Sequence, residues 1–536
     1  MTSTFFGLET AKRGMTTQQN ALFVTGQNIS NANTPGYTRQ RINFEATEPF
    51  PPASMNRPQI PGQMGTGVQA GSVQRVREAF LDQQYRGENN KLGYWSTRAD
   101  SLSKMEDIMN EPSDTGLSAA LGQFWQSLQD LSVNPENDGA RSVVIQRGLA
   151  VTETFHYLSD SITSIQQNIG NQIGVSVKDI NSILKQISEV NKQIASVEPH
   201  GYLPNDLYDE RDRLVDQLSS YVNIKVETTK SGGTPSPLAD GIYNIKMVGA
   251  NGQEVALVSG SNYNSISIKG GTSSNNDGVL DQPPSDAIDA FVVSGTEFKI
   301  SDFPQGKLKA LSESYGYKDT DGSIKGIYPD MLDQLDKLAY TFATVFNEVH
   351  KQGYTLDSSV NGGKGGDFFD LSALNNGYKG AAKLIEMGNL ANKDIAASTE
   401  KDNAGNGTNA INLSNVQGVE LSKIFTLEGF DPSNPVTIDL PNLGLPLTSG
   451  SINTNYQSII GKLGVDAQQA NRLTTNSNTL TQSVDQNRQS VSSVSLDEEM
   501  INMIKFQQAY NASARNITIL DEMLDKIING LGTGGR

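Results

Sequence analysis

Cysteine is absent from all 536 residues. That excludes a disulfide scaffold, a thiolate metal site and a cysteine nucleophile. The absence suits a cytosolic chain and a chain exported unfolded to an oxidising exterior equally well. Histidine is scarce: His156, His200 and His350 are the whole supply, and no two share the spacing of metal ligands. Basic charge is also short, with 42 Lys+Arg against 59 Asp+Glu, a net charge of -17. Nucleic acid and anionic membranes need basic patches, so neither is expected as a partner. No apolar run approaches about 18 residues, so no membrane-spanning helix is expected. Residues 1–25 lack the basic start, apolar stretch and cleavage site of a secretory signal. If the protein is secreted, the expected route leaves its N-terminus intact.

What is present is length, polarity and helical period. A chain this long exceeds one hydrophobic core, so three or four domains are expected. Only 36% of residues are apolar, which predicts a high ratio of surface to core. Residues 3–33 read as a helix with a weak seam of Leu8, Ala11, Met15, Gln18, Leu22, Thr25 and Ile29. Thr34-Pro35-Gly36 ends it, because Pro35 restricts Thr34 and Gly36 permits a turn. Residues 38–75 read as extended, since Pro49, Pro51, Pro52, Pro58 and Pro61 oppose helix. Helical patterns return at 76–110 and 117–131. The longest pattern spans 139–197, roughly 85 Å of helix. There Phe155, Leu158, Ile162, Ile165 and Ile169 hold one seam. Ile173, Val177, Ile180, Leu184, Ile187 and Ile194 hold another after a one-residue shift.

Leu207 to Leu218 reads as a return helix. Period-two alternation in Ile224–Thr228 and Tyr243–Val248 opens a β region running to about 325. Residues 327–352 are helical, 353–450 are Gly- and Asn-rich and mixed, and 451–490 form a very polar helix. Leu496 to Ile528 is one unbroken helical pattern. The expected fold is multidomain and mainly α: an elongated helical bundle or coiled coil built from the N- and C-terminal halves, with inserted β-rich domains. The boundaries are 1–45 (terminal helix and turn, pairing with 496–536), 46–221 (extended segment and bundle), 222–326 (β-rich insert), 327–352 (bundle helix), 353–450 (second insert), 451–495 (bundle helix) and 496–536 (terminal helix).

The two end helices have narrow stripes, interrupted by Gln18, Thr25, Asn502, Gln507 and Asn511 and flanked by Gly14 and Gly26. Such helices are marginal alone and need partners. A subunit that polymerises through its ends has this design. The expected seam is Leu8, Met15, Leu22 and Ile29 with Met500, Met503, Tyr510, Ile517, Leu524 and Ile527; of these, Met500, Met503, Tyr510, Ile517 and Leu524 are expected to be exposed in the lone chain until a partner covers them. The expected hinge and signature comprise Asn28, Asn31, Asn33, Thr34, Pro35, Gly36 and Tyr37.

The run Asn28 to Tyr37 resembles the signature of bacterial flagellar rod and hook axial proteins. Met503 to Arg515, followed by Asp521-Glu522-Met523-Leu524, resembles their tail. Gly65–Val68 continuing to Phe80–Arg86, then Thr38-Arg39-Gln40, Tyr208–Ser219 and Gly365–Phe369, resemble the family of flagellar hook-associated protein 1, the first hook–filament junction protein. The resemblance implies a non-enzymatic structural subunit of the flagellum, secreted to the cell exterior. It implies export in unfolded form through the flagellar export apparatus, after a cytoplasmic export chaperone has held the C-terminal helix. The implied partners are a ring of like subunits, the hook protein and the next hook–filament junction protein. A hook or distal-rod subunit of the same family is the alternative. From another class, a secreted coiled-coil translocator or adhesin is the rival; a translocator would need an apolar inserting helix.

Other patterns carry weaker chemistry. Asp319-Thr320-Asp321-Gly322-Ser323 with Asp330 departs from a calcium loop at its glycine and its last ligand, so a solvated turn is expected. Asn361-Gly362-Gly363-Lys364-Gly365-Gly366 lacks a phosphate loop's ending and its leading strand, so a hairpin or linker is expected. Asp209-Glu210-Arg211-Asp212-Arg213 reads as a charged helix face satisfied by intrahelical pairs. No catalytic residue, metal ligand or cofactor is expected.

Overall fold

The computed structural model describes residues 5–52, 55, 62–109, 111, 113–273, 279–357, 361–375 and 377–530. Pro58, Pro61 and the outermost residues of the two terminal segments read above lie outside that set.

Helix α1 spans Phe6–Ser30. Strands β1 (Gln40–Ala46) and β2 (Val68–Arg75) follow and pair antiparallel, with a register shift at Asn43/Phe44. Both strands lie within residues 38–75, expected to be extended; Arg41, Asn43 and Glu45 make β1 too polar to show a clear buried face. Helices α2 (Ala79–Met109), α3 (Leu117–Val133), α4 (Asp138–Val197) and α5 (Asn205–Tyr221) come next. Asn137 starts α4 by accepting from Gly139 N at 2.9 Å and Ala140 N at 3.2 Å. At 1.5 Å per residue α4 is about 90 Å long. Its two seams face the core: Phe155, Ile162, Ile173, Val177, Ile187 and Ile194 are wholly enclosed, and Ile165 is half-buried.

The seam shift near Ile169 is where the first insert docks. A Cβ at Gly174 would come within 2.5 Å of Gln282 Nε2, and one at Gly170 within 2.9 Å of the Tyr315 ring. Small residues let the insert approach α4 closely. That insert holds β3 (Ile224–Thr229), β4 (Ile242–Val248), β5 (Glu254–Ser259) and β6 (Asn262–Tyr263) in one antiparallel sheet. β7 (Ile266–Ile268), β8 (Ala290–Val293) and β9 (Thr296–Lys299) form a second. Two α4 asparagines bind the sheets' backbone. Asn191 Nδ2 donates to Tyr243 O (2.9 Å) and Gly260 O (2.8 Å), and Asn181 Nδ2 donates to Ile266 O (2.9 Å).

One segment corrects the sequence reading. Within the region expected to be β up to 325 lies α6 (Lys307–Tyr315). Leu308, Leu311 and Tyr315 recur at helical spacing and are buried between α2 and α4. The helix was too short to stand out beside Gly306 and Gly316.

α7 (Ile327–Gln352) then completes the bundle core. Phe342 and Phe346 stack with Phe124, Trp125 and Phe155, and with Phe368 and Phe369 of the following segment. Asn347 Oδ1 accepts the N–H groups of both Phe368 and Phe369 at 2.9 Å, pinning them there. Gly365 passes so close to His350 that a Cβ would lie 2.3 Å from its carbonyl. The Gly365–Phe369 motif is thus explained by packing.

The second insert carries α8 (Ala381–Leu384), α9 (Thr408–Asn415) and two small two-stranded sheets. Arg141 of α4, fully buried, holds it by donating to Ile395 O at 2.8 Å and Asn392 O at 3.1 Å. α10 (Ile452–Ser492) returns antiparallel along α2: Tyr456 reaches Glu111 at one end and Arg488 reaches Tyr85 at the other. α11 (Leu496–Gly530) runs back beside α1. The architecture is mainly helical and elongated, with inserted β elements.

Candidate assembly site

The chain ends meet. α1 packs against both α11 and the β1–β2 hairpin. Its contact with α11 is made by small residues. A Cβ at Gly7 would be 3.3 Å from Leu520, and one at Gly14 would be 3.3 Å from Ser513 Oγ. Ala21 and Asn28 continue that heptad and are buried. On the hairpin side Thr17 Oγ1 donates to Val68 O at 3.1 Å, and Phe44 meets Phe506 edge-on at 5.8 Å.

Leu8, Met15, Leu22 and Ile29 are half-buried, one residue round from this close-packed line. Met503, Tyr510, Ile517 and Leu524 are also half-buried. Exposure in the lone chain was expected of Met503, Tyr510, Ile517 and Leu524; packing of α11 beside α1 leaves them half-buried instead. Met500 (52% exposed) and Ile527 (45%) are open to solvent. With them on the outward face stand Ile501, Ile504, Ile519 and Met523, and Phe23 protrudes from α1 at 74% exposure.

The signature turn explains its residues. Asn31 N–H bonds to Gln27 O at 3.1 Å and closes α1. Thr34 Oγ1 donates to Asn31 Oδ1 at 3.2 Å. Asn33, Thr34, Pro35 and Gly36 are exposed. Gly36 takes φ +84°, a left-handed conformation that glycine adopts without steric cost. Tyr37 then folds back, its hydroxyl donating to Asn28 Oδ1 at 2.9 Å. Burial, with Asp206, Asp209 and Glu499 nearby, pushes the Tyr37 phenol far above its ordinary range, so it stays a donor. Asn28 bonds both Gln40 N (3.0 Å) and Gln40 O (2.8 Å), and its amide also reaches Glu499 Oε2 at 3.2 Å.

Below the turn lies a buried charged cluster that sequence reading missed. The face from Asp209 to Arg213 is not satisfied within its own helix, as was expected. Only the exposed Glu210–Arg213 pair is intrahelical. Asp209 Oδ1 takes Arg75 at 2.7 Å, and its Oδ2 accepts Thr38 N at 3.0 Å. Asp212 takes Arg75 (2.9 Å), Arg77 (3.2 Å), Arg86 (3.2 Å) and the Tyr243 hydroxyl (3.0 Å). Asp240 closes on Arg75 as well. Arg77 forks onto Asp82 at 2.6 and 2.9 Å. Asp216 joins Arg86 (2.7 Å) to Arg488 (2.5 Å). Arg211, fully buried, stacks 3.4 Å from the Tyr243 ring centre. Burial opposes ionisation of Asp212, but Arg77, Arg75, Arg86 and Arg211 outweigh it and hold the carboxyl far below the usual range. The physical reason for the misreading is distance in sequence. The partners come from segments that no helical period connects.

His350 is fully buried; its Nδ1 faces Gly366 O at 2.8 Å and its Nε2 accepts Ala396 N–H at 2.9 Å. His156 Nε2 pairs with Ile385 O at 2.7 Å, and His200 is exposed at the end of the short 3-10 helix Glu198–His200. Asp319 and Asp321 accept from Thr320 N and Ser323 N in their own turn. Among the described residues no group of three or more His, Asp or Glu is disposed to hold a metal, and no helix is long and apolar enough to cross a membrane.

Comparison with known families gives this arrangement its class. Residues 8–38 match the family described as flagella basal body rod protein, and 485–530 match the flagellar basal body rod FlgEFG protein C-terminal family. The paired ends are therefore those of flagellar structural proteins. Residues 102–369 match the flagellar hook-associated protein FlgK helical domain. Along its whole length the chain is 44% identical to flagellar hook-associated protein 1 of Bacillus subtilis, covering 100% of both chains. It is 27% identical to the protein of that name in Salmonella typhimurium, over 97% of this chain and 98% of the relative. The fold resembles the flagellar hook junction protein FlgK from Burkholderia pseudomallei, with a TM-score of 0.53 at 14% identity, covering 76% of this chain and 100% of that one. The chain belongs to the flagellar hook-associated protein 1 family.

Proposed function

We propose that this chain forms the junction between the flagellar hook and filament, outside the cell, as a ring of like subunits. It is exported unfolded through the flagellar export apparatus, and a cytoplasmic chaperone holds α11 beforehand. On the hook tip it seats against the hook protein and presents a surface to the next junction protein. Its role is structural rather than enzymatic. One observation carries this reading: the paired terminal helices leave an outward apolar face uncovered, with Ile501 at 66% and Ile504 at 55% exposure. Monomers rarely expose such a stripe without a partner. Shielding between α1 and α11 uses the flanks of the expected seam, so the contacts between subunits fall to the outward residues Met500, Ile501, Ile504, Met523, Ile527 and Phe23. The signature turn from Asn33 to Tyr37 sets the angle at which this rod leaves the bundle.

The test is loss of the protein in a flagellated cell. Hooks should still form and filaments should not. Cells that grow normal filaments without it would overturn the proposal, and cells without hooks would favour a rod or hook subunit.

A further inference from the structure

We infer that the charged cluster on α5 is a completeness lock, which lets the bundle fold stably only when the segment behind the N-terminal hairpin and the distant helix α10 are both in place. The inference deepens the reading of a subunit exported unfolded, for which early folding would be harmful.

The cluster draws on the whole chain. Arg75 and Arg77 enter from the N-terminal hairpin, and Arg488 enters from α10, 272 residues beyond its partner Asp216. All of them converge on α5, where Asp212 is 2% exposed. A complete buried set of charges is close to neutral in its effect on stability, because Coulomb attraction roughly offsets desolvation. An incomplete set is strongly unfavourable, because buried carboxylates then outnumber the guanidinium groups that balance them. The helices α2 to α5 carry ample apolar seam and would otherwise collapse early. The cluster penalises that collapse until Arg488 arrives. α10 brings a second contribution at the same moment, since Tyr456, Ile459 and Leu463 cover the face of α2. Arg488 also lies 4.0 Å over the Tyr85 ring, so its place is packed as well as charged.

The experiment uses the full chain and the fluorescence of its two tryptophans, Trp95 in α2 and Trp125 in α3. In urea, Arg488→Gln should lower the folding equilibrium constant of the bundle roughly tenfold or more, and Arg75→Gln/Arg77→Gln on the order of a hundredfold. Adding Asp216→Asn to Arg488→Gln should recover most of the loss, because Arg86 alone then no longer has to balance one buried carboxylate too many. If Arg75→Gln/Arg77→Gln does not fold, Arg75→Lys/Arg77→Lys keeps the charge, loses the fork and should fold with a lowered midpoint. Arg515→Gln on α11 should change nothing. During refolding, pulse-labelled amides of α3 and α4 should gain protection no earlier than those of α10. An unmoved transition in Arg488→Gln, no recovery with Asp216→Asn, or early independent protection of α3 and α4 would overturn the lock. These measurements are made in solution, so their failure is separate from any failure of the flagellar reading.

Discussion

Arg39 Nε lies 2.8 Å from Glu499 Oε1, joining residues 460 apart in sequence. Glu499 is almost wholly buried and also bonds Asn28. The backbone repeats the link, with Arg39 N–H bonding to Ser492 O at 2.9 Å. The signature turn is thereby fastened to the break between α10 and α11. Arg39→Met would leave Glu499 with only a neutral donor. The expected cost is about 2 kcal/mol, the scale of a charged hydrogen bond. Hydrogen exchange should show faster opening of α1 and α11, while the urea midpoint read by the tryptophans stays put.

Gly36→Val places a β-branched side chain at φ +84°, with its Cβ 3.5 Å from Arg213. The left-handed conformation alone costs roughly 1–2 kcal/mol. The bundle should melt normally, because Gly36 is exposed and outside it. The rod formed by α1 and α11 should leave at a wrong angle, and motility should fail. Normal motility in this variant would count against the hinge.

Two isoleucines on α11 should behave differently. Ile504 faces outward, so Ile504→Asp should leave the monomer's stability within about 0.5 kcal/mol. It should still abolish incorporation, since the carboxylate would be buried unpaired between subunits. Ile517 is half-buried beside α1. Ile517→Asp should loosen the terminal pair in the monomer as well as block assembly. Thermal melts and incorporation assays on both variants decide this.

His350 gives the fold an acid-side slope. Burial lowers its pKa from 6.5 to about 4. The unfolded chain therefore binds a proton that the folded chain refuses between these values. Stability is fully present above pH 6.5 and falls as the pH drops toward 4, by on the order of 3 kcal/mol. His350→Asn should be less stable at pH 7, because Ala396 N–H or Gly366 O loses its partner. Its stability should then vary less between pH 6.5 and 4. An unchanged slope would assign the acid sensitivity elsewhere.

The long helices were legible because heptads are local. Phe155 to Ile194 announces a buried rod without any knowledge of what buries it. Short elements were not: α6 is nine residues between two glycines, and its burial depends on α2 and α4. The terminal pairing was legible in kind but not in register. A helix that packs through Gly7, Gly14 and Ala21 shows its contact line as small residues, while the eye follows Leu8, Met15 and Leu22. The charged cluster was illegible for a different reason. Asp212 and Arg75 stand 137 residues apart, and Asp216 and Arg488 stand 272 apart. A single sequence contains no signal that pairs them.

The central claim is tested most directly by position along the flagellum. A label fixed to an exposed site of the β-rich insert should be mapped on isolated flagella by electron microscopy. One narrow band is expected where the curved hook meets the filament, and nothing elsewhere. Label spread along the hook, along the rod or along the filament, or label absent from flagella that are otherwise complete, would contradict it.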